Sequence, residues 1–175
     1  VLSNKLVTDN PVNRCYYCKQ GVFGTILEAA KNDGMTVILD GTNASDDADD
    51  RPGMKALQEM KVLSPLRMCG YVKSEIRKQS KEAGLFVYNK PSYACLATRI
   101  PTGTEIDEEK IKQVEAAETF LFDLGFSDFR VRWMDNKAKI QMPESQLQAL
   151  MEKREVVLEE LSKIFDEVLL DLRTR

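Results

Sequence analysis

Between Lys90 and Gly103 the stretch KPSYACLATRIPTG contains two prolines and no helical period. Each proline fixes its own φ and lacks an N–H donor, so neither a helix nor an interior strand runs through this segment. The 175-residue chain is thereby divided into residues 1–90 and 91–175, which carry different patterns and are expected to form two domains.

Ahead of the junction, Cys15 to Ala30 reads as a helix with Val22, Ile26, Leu27 and Ala30 on its apolar side. Asn32-Asp33-Gly34 ends it. Met35 to Asp40 is a continuous β-branched run, which predicts a strand buried on both faces. A helix from Arg51 to about Met60, a short strand over Val62–Leu66 and a helix over Lys73–Ala83 closed by Gly84 follow. Alternating helices and strands predict a parallel α/β arrangement. Behind the junction, Asp107 to Leu124 is an amphipathic helix with Ile111, Val114, Ala117, Leu121 and Leu124 on one face. Phe129–Met134 and Lys137–Met142 predict a hairpin turning at Asp135-Asn136. One helix over Ser145–Ile164 and a strand over Glu167–Leu172 complete an αββαβ order, an α+β unit.

Composition narrows the chemistry. With 25 basic and 28 acidic side chains the net charge is −3, which gives no electrostatic reason to expect nucleic acid or an anionic membrane as partner. Apolar runs such as Val168–Leu170 fall far short of a membrane span, and the start Val1-Leu2-Ser3-Asn4-Lys5 is not a signal peptide. The expectation is a soluble, acidic, intracellular protein. Histidine is absent, which removes Ser-His-Asp and Cys-His machinery and histidine-ligated metals.

Arg14-Cys15-x-x-Cys18-Lys19 places two cysteines on one face at a helix start, where the dipole and nearby cations favour thiolate. A redox dithiol, half a zinc site and iron–sulfur ligation all use this pattern. Cys95 lies in the junction. Three cysteines from two segments suit an iron–sulfur cluster better than structural zinc, which wants four ligands. Cys69 is expected to be a small buried hydrophobe rather than that fourth ligand.

Gly41-Thr42-Asn43 follows the carboxyl end of a predicted strand, where α/β folds take ligands, and Asp46 or Asp47 can meet magnesium or a ribose; a solvated acidic loop is the bland alternative. Lys73 and Arg77 stand one helical turn apart, suited to phosphate or to an ordinary wet helix face. Arg130 and Arg132 share one strand face and, with Arg99, can fork a phosphate or carboxylate or simply be solvated. Glu118 can pair with these arginines or face water.

The order Asn13-Arg-Cys-Tyr-Tyr-Cys-Lys19, Gly41-Thr-Asn43 with Asp46 and Asp47, Arg51-Pro-Gly53, Ser64-Pro-Leu66, Lys73-x-Glu-Ile-Arg77, Lys90-Pro91 and Cys95-Leu-Ala-Thr-Arg99 resembles the LarE-type ATP-dependent sulfur transferases. These are PP-loop ATP pyrophosphatases. Phe120-Leu121, Leu124-Gly125-Phe126 and Arg130-Val-Arg132 extend the likeness into the second half. The resemblance implies an α/β fold, with residues 1–90 the remainder of a PP-loop parallel-sheet domain and residues 91–175 a small α+β domain for substrate and sulfur transfer.

The activity implied is sulfur transfer to an adenylylated carboxylate of a pyridinium nucleotide, in making a nickel-pincer cofactor, with ATP, Mg2+ and a 4Fe–4S cluster. Cys15, Cys18 and Cys95 would ligate the cluster, unless Cys95 is a sacrificial sulfur donor. Cys95 and Glu118 would be catalytic, and Thr98, Arg99, Arg130 and Arg132 would bind substrate or its phosphate. Gly41, Thr42, Asn43, Asp47 and Lys73 would bind the activating nucleotide. A cytoplasmic homo-oligomer acting on a small nucleotide is expected.

The family's ATP-binding loop, Ser-Gly-Gly-x-Asp-Ser, does not occur, so the chain is expected to be a fragment whose loop would precede Val1. Thr98 replaces the usual serine, and Gln141 stands where glutamate is expected. Two other readings stay open: a PP-loop tRNA thiolase or amide-forming ligase, the former disfavoured by the acidic charge, and a non-catalytic module with structural zinc completed by Cys69.

Overall fold

The computed structural model describes residues 1–46 and 52–173. Among them the chain forms eight α-helices, a short 3₁₀ turn and one three-stranded mixed sheet, distributed over two compact units. One unit comprises Val1, Ser3–Val7 and Pro11–Lys90; the other comprises Leu2, Thr8–Asn10 and Pro91–Arg175. A single turn, α1 (Lys5–Thr8), opens the chain.

In the first unit, α2 (Arg14–Asn32) packs against α3 (Pro52–Glu59). Helix α2 ends where Gly34 turns to φ 74°, so that Met35 N–H reaches Ala30 O at 2.8 Å and Gly34 N–H reaches Lys31 O at 3.1 Å. These paired bonds satisfy the last carbonyls of the helix, and glycine meets the left-handed conformation without penalty. Gly53 of α3 lies so close to α2 that a Cβ there would stand 3.0 Å from the Lys19 side chain. Ala56, Leu57 and Val62 are buried beside it. The predicted start of α3 at Arg51 lies outside the described residues.

The expectation of a strand over Met35–Asp40 buried on both faces is not met. A single parallel bridge joins Leu39 to Leu63, with Leu63 N–H on Ile38 O at 3.0 Å and Asp40 N–H on Leu63 O at 2.9 Å. Val37 and Leu39 are 57% and 59% exposed. A strand is buried on both faces only when layers cover both, and the described residues supply no cover for these two side chains. The expected strand over Val62–Leu66 likewise shrinks to the Leu63 bridge, because Pro65 opens a one-turn helix, α4 (Pro65–Met68). Helix α5 (Lys73–Glu82) then ends at Gly84, again at positive φ.

The second unit is built on α6 (Glu108–Asp123), capped by the Asp107 carboxylate, which accepts from Lys110 N–H at 2.8 Å. Strands β1 (Arg130–Met134) and β2 (Lys137–Gln141) pair antiparallel, with Val131 opposite Ile140. Asp135 and Asn136 both hold positive φ at their turn, as a tight primed hairpin requires. Strand β3 (Glu167–Leu170) adds parallel to β2, giving the order β1-β2-β3.

Between the strands run α7 (Glu144–Glu152) and α8 (Arg154–Leu161), not the single helix the periodicity predicts. Lys153 breaks them at φ −98°, ψ 10°, and its ammonium reaches back to the carbonyl of Leu124 at 2.7 Å. Ala117, Leu121, Phe129, Val131, Ala138, Ile140, Leu150, Val157, Leu161 and Phe165 form one continuous apolar core. Among the described residues, no helix is long and apolar enough to cross a membrane.

Candidate functional site

At the edge of that core two opposite charges are sealed from water. Arg99 is 1% exposed and Glu118 is 0% exposed. Arg99 ends the 3₁₀ turn Leu96–Arg99, and Glu118 projects from α6 among Val114, Ala117 and Leu121. Arg99 Nε donates to Glu118 Oε1 at 2.7 Å and Arg99 Nη2 to Oε2 at 3.0 Å, a two-pronged contact. Val131 N–H adds a bond to Oε1 at 2.9 Å, and the Tyr93 hydroxyl one to Oε2 at 2.7 Å. Four donors thus converge on this carboxylate, which faces no solvent.

Further contacts from Thr98 and the three arginines run to the segment just before Arg99. Arg99 Nη1 donates to Thr98 Oγ1 at 2.9 Å and to Ala94 O at 3.3 Å. Thr98 Oγ1 donates to Cys95 O at 2.7 Å. Arg130, itself buried, reaches Ser92 O at 2.6 Å, and Arg132 reaches Thr98 O at 2.6 Å. Every one of these acceptors belongs to the Ser92–Thr98 segment, which carries the exposed thiol of Cys95. Sequence reasoning brought Thr98, Arg99, Glu118, Arg130 and Arg132 into one site, and the structure gathers them around that segment.

Arg132 also donates through Nε to Gln141 Oε1 at 2.8 Å, and Gln141 Nε2 donates to Asp171 at 2.7 Å. Lys139 closes on the same Asp171 oxygen at 2.8 Å. Thr98, Arg99, Arg132, Trp133, Lys139 and Gln141 help to line a cavity of about 250 Å³. A guanidinium and an ammonium at its wall suit an anionic ligand. Sequence reasoning missed Tyr93 and Asp171. Tyr93 sits two residues before Cys95 and Asp171 follows β3, but the contacts that matter are distant in sequence.

In the first unit Cys15 lies exposed in the opening turn of α2, and Cys18 is half-buried one turn on. None of the four cysteines is in a disulfide. Cys69 is exposed, against expectation: it caps α4 at a turn into Gly70 and borders an open cleft with Tyr71, Glu75 and Lys78 instead of packing inward. Within neither unit do three or more Cys, Asp or Glu side chains gather closely enough to hold a metal ion, among the described residues.

The Gly41–Asp46 loop is tightly ordered by its neighbours. Asp40 accepts from Ser64 Oγ at 2.6 Å, Thr42 Oγ1 at 2.5 Å and Thr42 N–H at 3.1 Å. Burial pushes the Asp40 carboxyl upward, but these bonds outweigh it and hold the group below its ordinary value. Asn43 N–H bonds Asp46, Arg67 bonds the Asp46 carbonyl at 2.6 Å, and the Lys73 N–H takes Ser45 Oγ at 2.9 Å. Gly41, Thr42, Asn43 and Lys73 therefore belong to one loop cluster, with the Lys73 side chain exposed. Asp47, the further nucleotide-binding candidate, lies outside the described residues.

No protein-family model matches the chain. It is 38% identical, over 94% of its length, to a protein of Synechocystis described as uncharacterized, of which it covers 60%. It is 34% identical over 83% of its length to the pyridinium-3,5-bisthiocarboxylic acid mononucleotide synthase of Lactiplantibacillus plantarum, covering 53% of that enzyme. One relative is therefore a mononucleotide synthase. A third, from Methanocaldococcus jannaschii and described as uncharacterized, is 31% identical over 88% of the chain, which covers 60% of it. The chain thus spans between 53% and 60% of the length of these relatives.

Proposed function

We propose that this chain is part of a LarE-type sulfur transferase and handles substrate and sulfur in the ATP-dependent conversion of a pyridinium nucleotide carboxylate to a thiocarboxylate. The observation that carries the reading is Cys95, an exposed thiol on a segment whose carbonyls are held by Thr98, Arg99, Arg130 and Arg132. The similarity to the Lactiplantibacillus synthase, named for a thiocarboxylic acid mononucleotide, supports this reading.

In this reading ATP adenylylates the substrate carboxylate with loss of pyrophosphate, so that AMP becomes the leaving group. The Gly41–Asn43 loop and Lys73 face the nucleotide. The cavity bounded by Arg132 and Lys139 takes the anionic part of the substrate. Glu118 works through the Cys95 segment, since its oxygens are occupied by Arg99, Tyr93 and Val131.

Sulfur reaches the acyl adenylate by one of two routes. In the sacrificial route Cys95 Sγ attacks the acyl carbon and AMP departs. A base then removes the Cys95 α-proton and the Cβ–Sγ bond breaks, leaving sulfur on the product and dehydroalanine in the chain. In the other route the donor is held at a 4Fe–4S cluster. Thiols at Cys15, Cys18 and Cys95, outside any disulfide, are the donor chemistry that such a cluster takes. When bound it supplies an iron site open to sulfide. The protein residues then hold that site and position the substrate.

The test uses the full gene product with ATP and a carboxylated pyridinium mononucleotide, after anaerobic reconstitution. Oxygen-to-sulfur exchange in the nucleotide is expected by mass spectrometry, and Cys95→Ala abolishes it. Loss of iron and acid-labile sulfide in Cys15→Ala and Cys18→Ala selects the cluster route; dehydroalanine at position 95 selects the sacrificial one. Thiocarboxylate formation that persists in Cys95→Ala, or a chain that binds only zinc and converts nothing, sinks the reading.

A further inference from the structure

The segment that carries Cys95 begins and ends on the same carboxylate. Tyr93, two residues before the cysteine, donates its hydroxyl to Glu118 Oε2 at 2.7 Å. Arg99, four residues after it, spans both Glu118 oxygens at 2.7 and 3.0 Å. Glu118 is in turn fixed on α6 and by the Val131 N–H of β1, so it is a rigid post rather than a mobile surface acid.

The Tyr93 ring is seated as well as its hydroxyl. The Arg99 guanidinium carbon stands 5.3 Å and that of Arg130 5.9 Å from the ring centre, while Phe122 lies tilted against it at 5.9 Å. Yet Tyr93 as a whole is 49% exposed, so its hydroxyl is not held there by burial in a core. Burial of the hydroxyl, then its bond to Glu118 and the charge of that carboxylate, raise its pKa to about 12, offset in part by Arg99 and Arg130. The phenol is therefore a neutral donor throughout the physiological range.

We infer that Tyr93 is a positioning residue for sulfur transfer: its hydroxyl closes the Cys95 segment onto Glu118 from the amino-terminal side, as Arg99 closes it from the other. This rests on the sulfur-transfer reading for its purpose, but the closure is a property of the second unit alone. A hydrogen bond between a neutral donor and a buried carboxylate is among the stronger ones, so its loss shifts local opening about tenfold.

Tyr93→Phe in the full chain removes one oxygen and keeps the ring. Hydrogen exchange across Ala94–Thr98, including the Thr98 amide bonded to Cys95 O at 2.9 Å, is expected to speed up about tenfold, with exchange in α6 and the β1–β2 hairpin unchanged. In the full gene product kcat for thiocarboxylate formation is expected to fall about tenfold with KM for ATP and nucleotide unaltered. Unchanged exchange in the segment overturns the inference, as does equal acceleration throughout the unit. Faster segment exchange with unchanged kcat also overturns it. A wild-type protein that makes no thiocarboxylate removes the functional reading instead, and the exchange data then decide whether the closure exists.

Discussion

At the scale of single residues, the second unit distributes its buried charge through two carboxylates with opposite surroundings. Glu118 lies wholly inside, and its pairing with Arg99 repays a large desolvation penalty only because both prongs and two further donors are in place. Asp171 stands at the end of β3, where the Lys139 ammonium, the Gln141 amide and the Arg173 N–H hold its carboxyl far below the ordinary 3.8. A carboxyl lowered by folding contributes stability above its unfolded value and loses it as the pH falls toward the folded one. Asp171→Asn is therefore expected to be less stable than the native chain at neutral pH, with the gap narrowing below about pH 4. Urea unfolding midpoints of the two proteins across that range check this, and a gap that stays constant into strong acid counts against it.

At the scale of elements, local chemistry decides most of what forms. Asp107→Ala removes the acceptor for the Lys110 amide and is expected to destabilise the second unit by about 1 kcal/mol, while Asp107→Asn keeps most of it. The check is a lower denaturant midpoint at unchanged slope in the alanine variant alone. The terminators at Gly34 and Gly84 and the Asp135-Asn136 turn are written in contiguous residues, which is why they were legible without a structure, whereas the sequence reading took Asp107 as the first residue of the helix rather than its cap. Burial at Val37 and Leu39 was not, because a β-branched run reports that a strand is suitable but not what lies over it. Nor was the break at Lys153, where no proline or glycine marks the stop. The site divides the same way. The spacing of Arg130 and Arg132 placed them on one strand face, whereas Tyr93 meets Glu118 across 25 positions.

At the scale of the whole molecule, the two units are stabilised unequally. The continuous apolar core belongs entirely to the second, from Ala117 to Phe165. Helix α2 in the first is the longest among the described residues, at 19 residues, yet none of its side chains is buried. Helices gain most of their stability from packing an apolar face, not from length. Amides of α2 are accordingly expected to exchange much faster than those of α6, β1 and β2. Hydrogen exchange with mass spectrometry resolves the two sets, and equal protection would contradict it.

Asn10 gives the second unit an unusual dependence on the far end of the chain. It is completely buried at φ 53°, its amide donates to Pro101 O at 2.7 Å and Thr104 O at 3.0 Å, and its own carbonyl accepts from Gly103 N–H at 2.9 Å. Ile106 N–H completes the stitch on Thr8 O at 2.7 Å. On a ribosome these early residues emerge long before their partners, so the Pro101–Ile106 turn is finished by a strip of peptide already waiting. Cutting the gene at Lys90–Pro91 would leave behind the strip that satisfies those carbonyls and amides, so this module cannot be excised with a single cut.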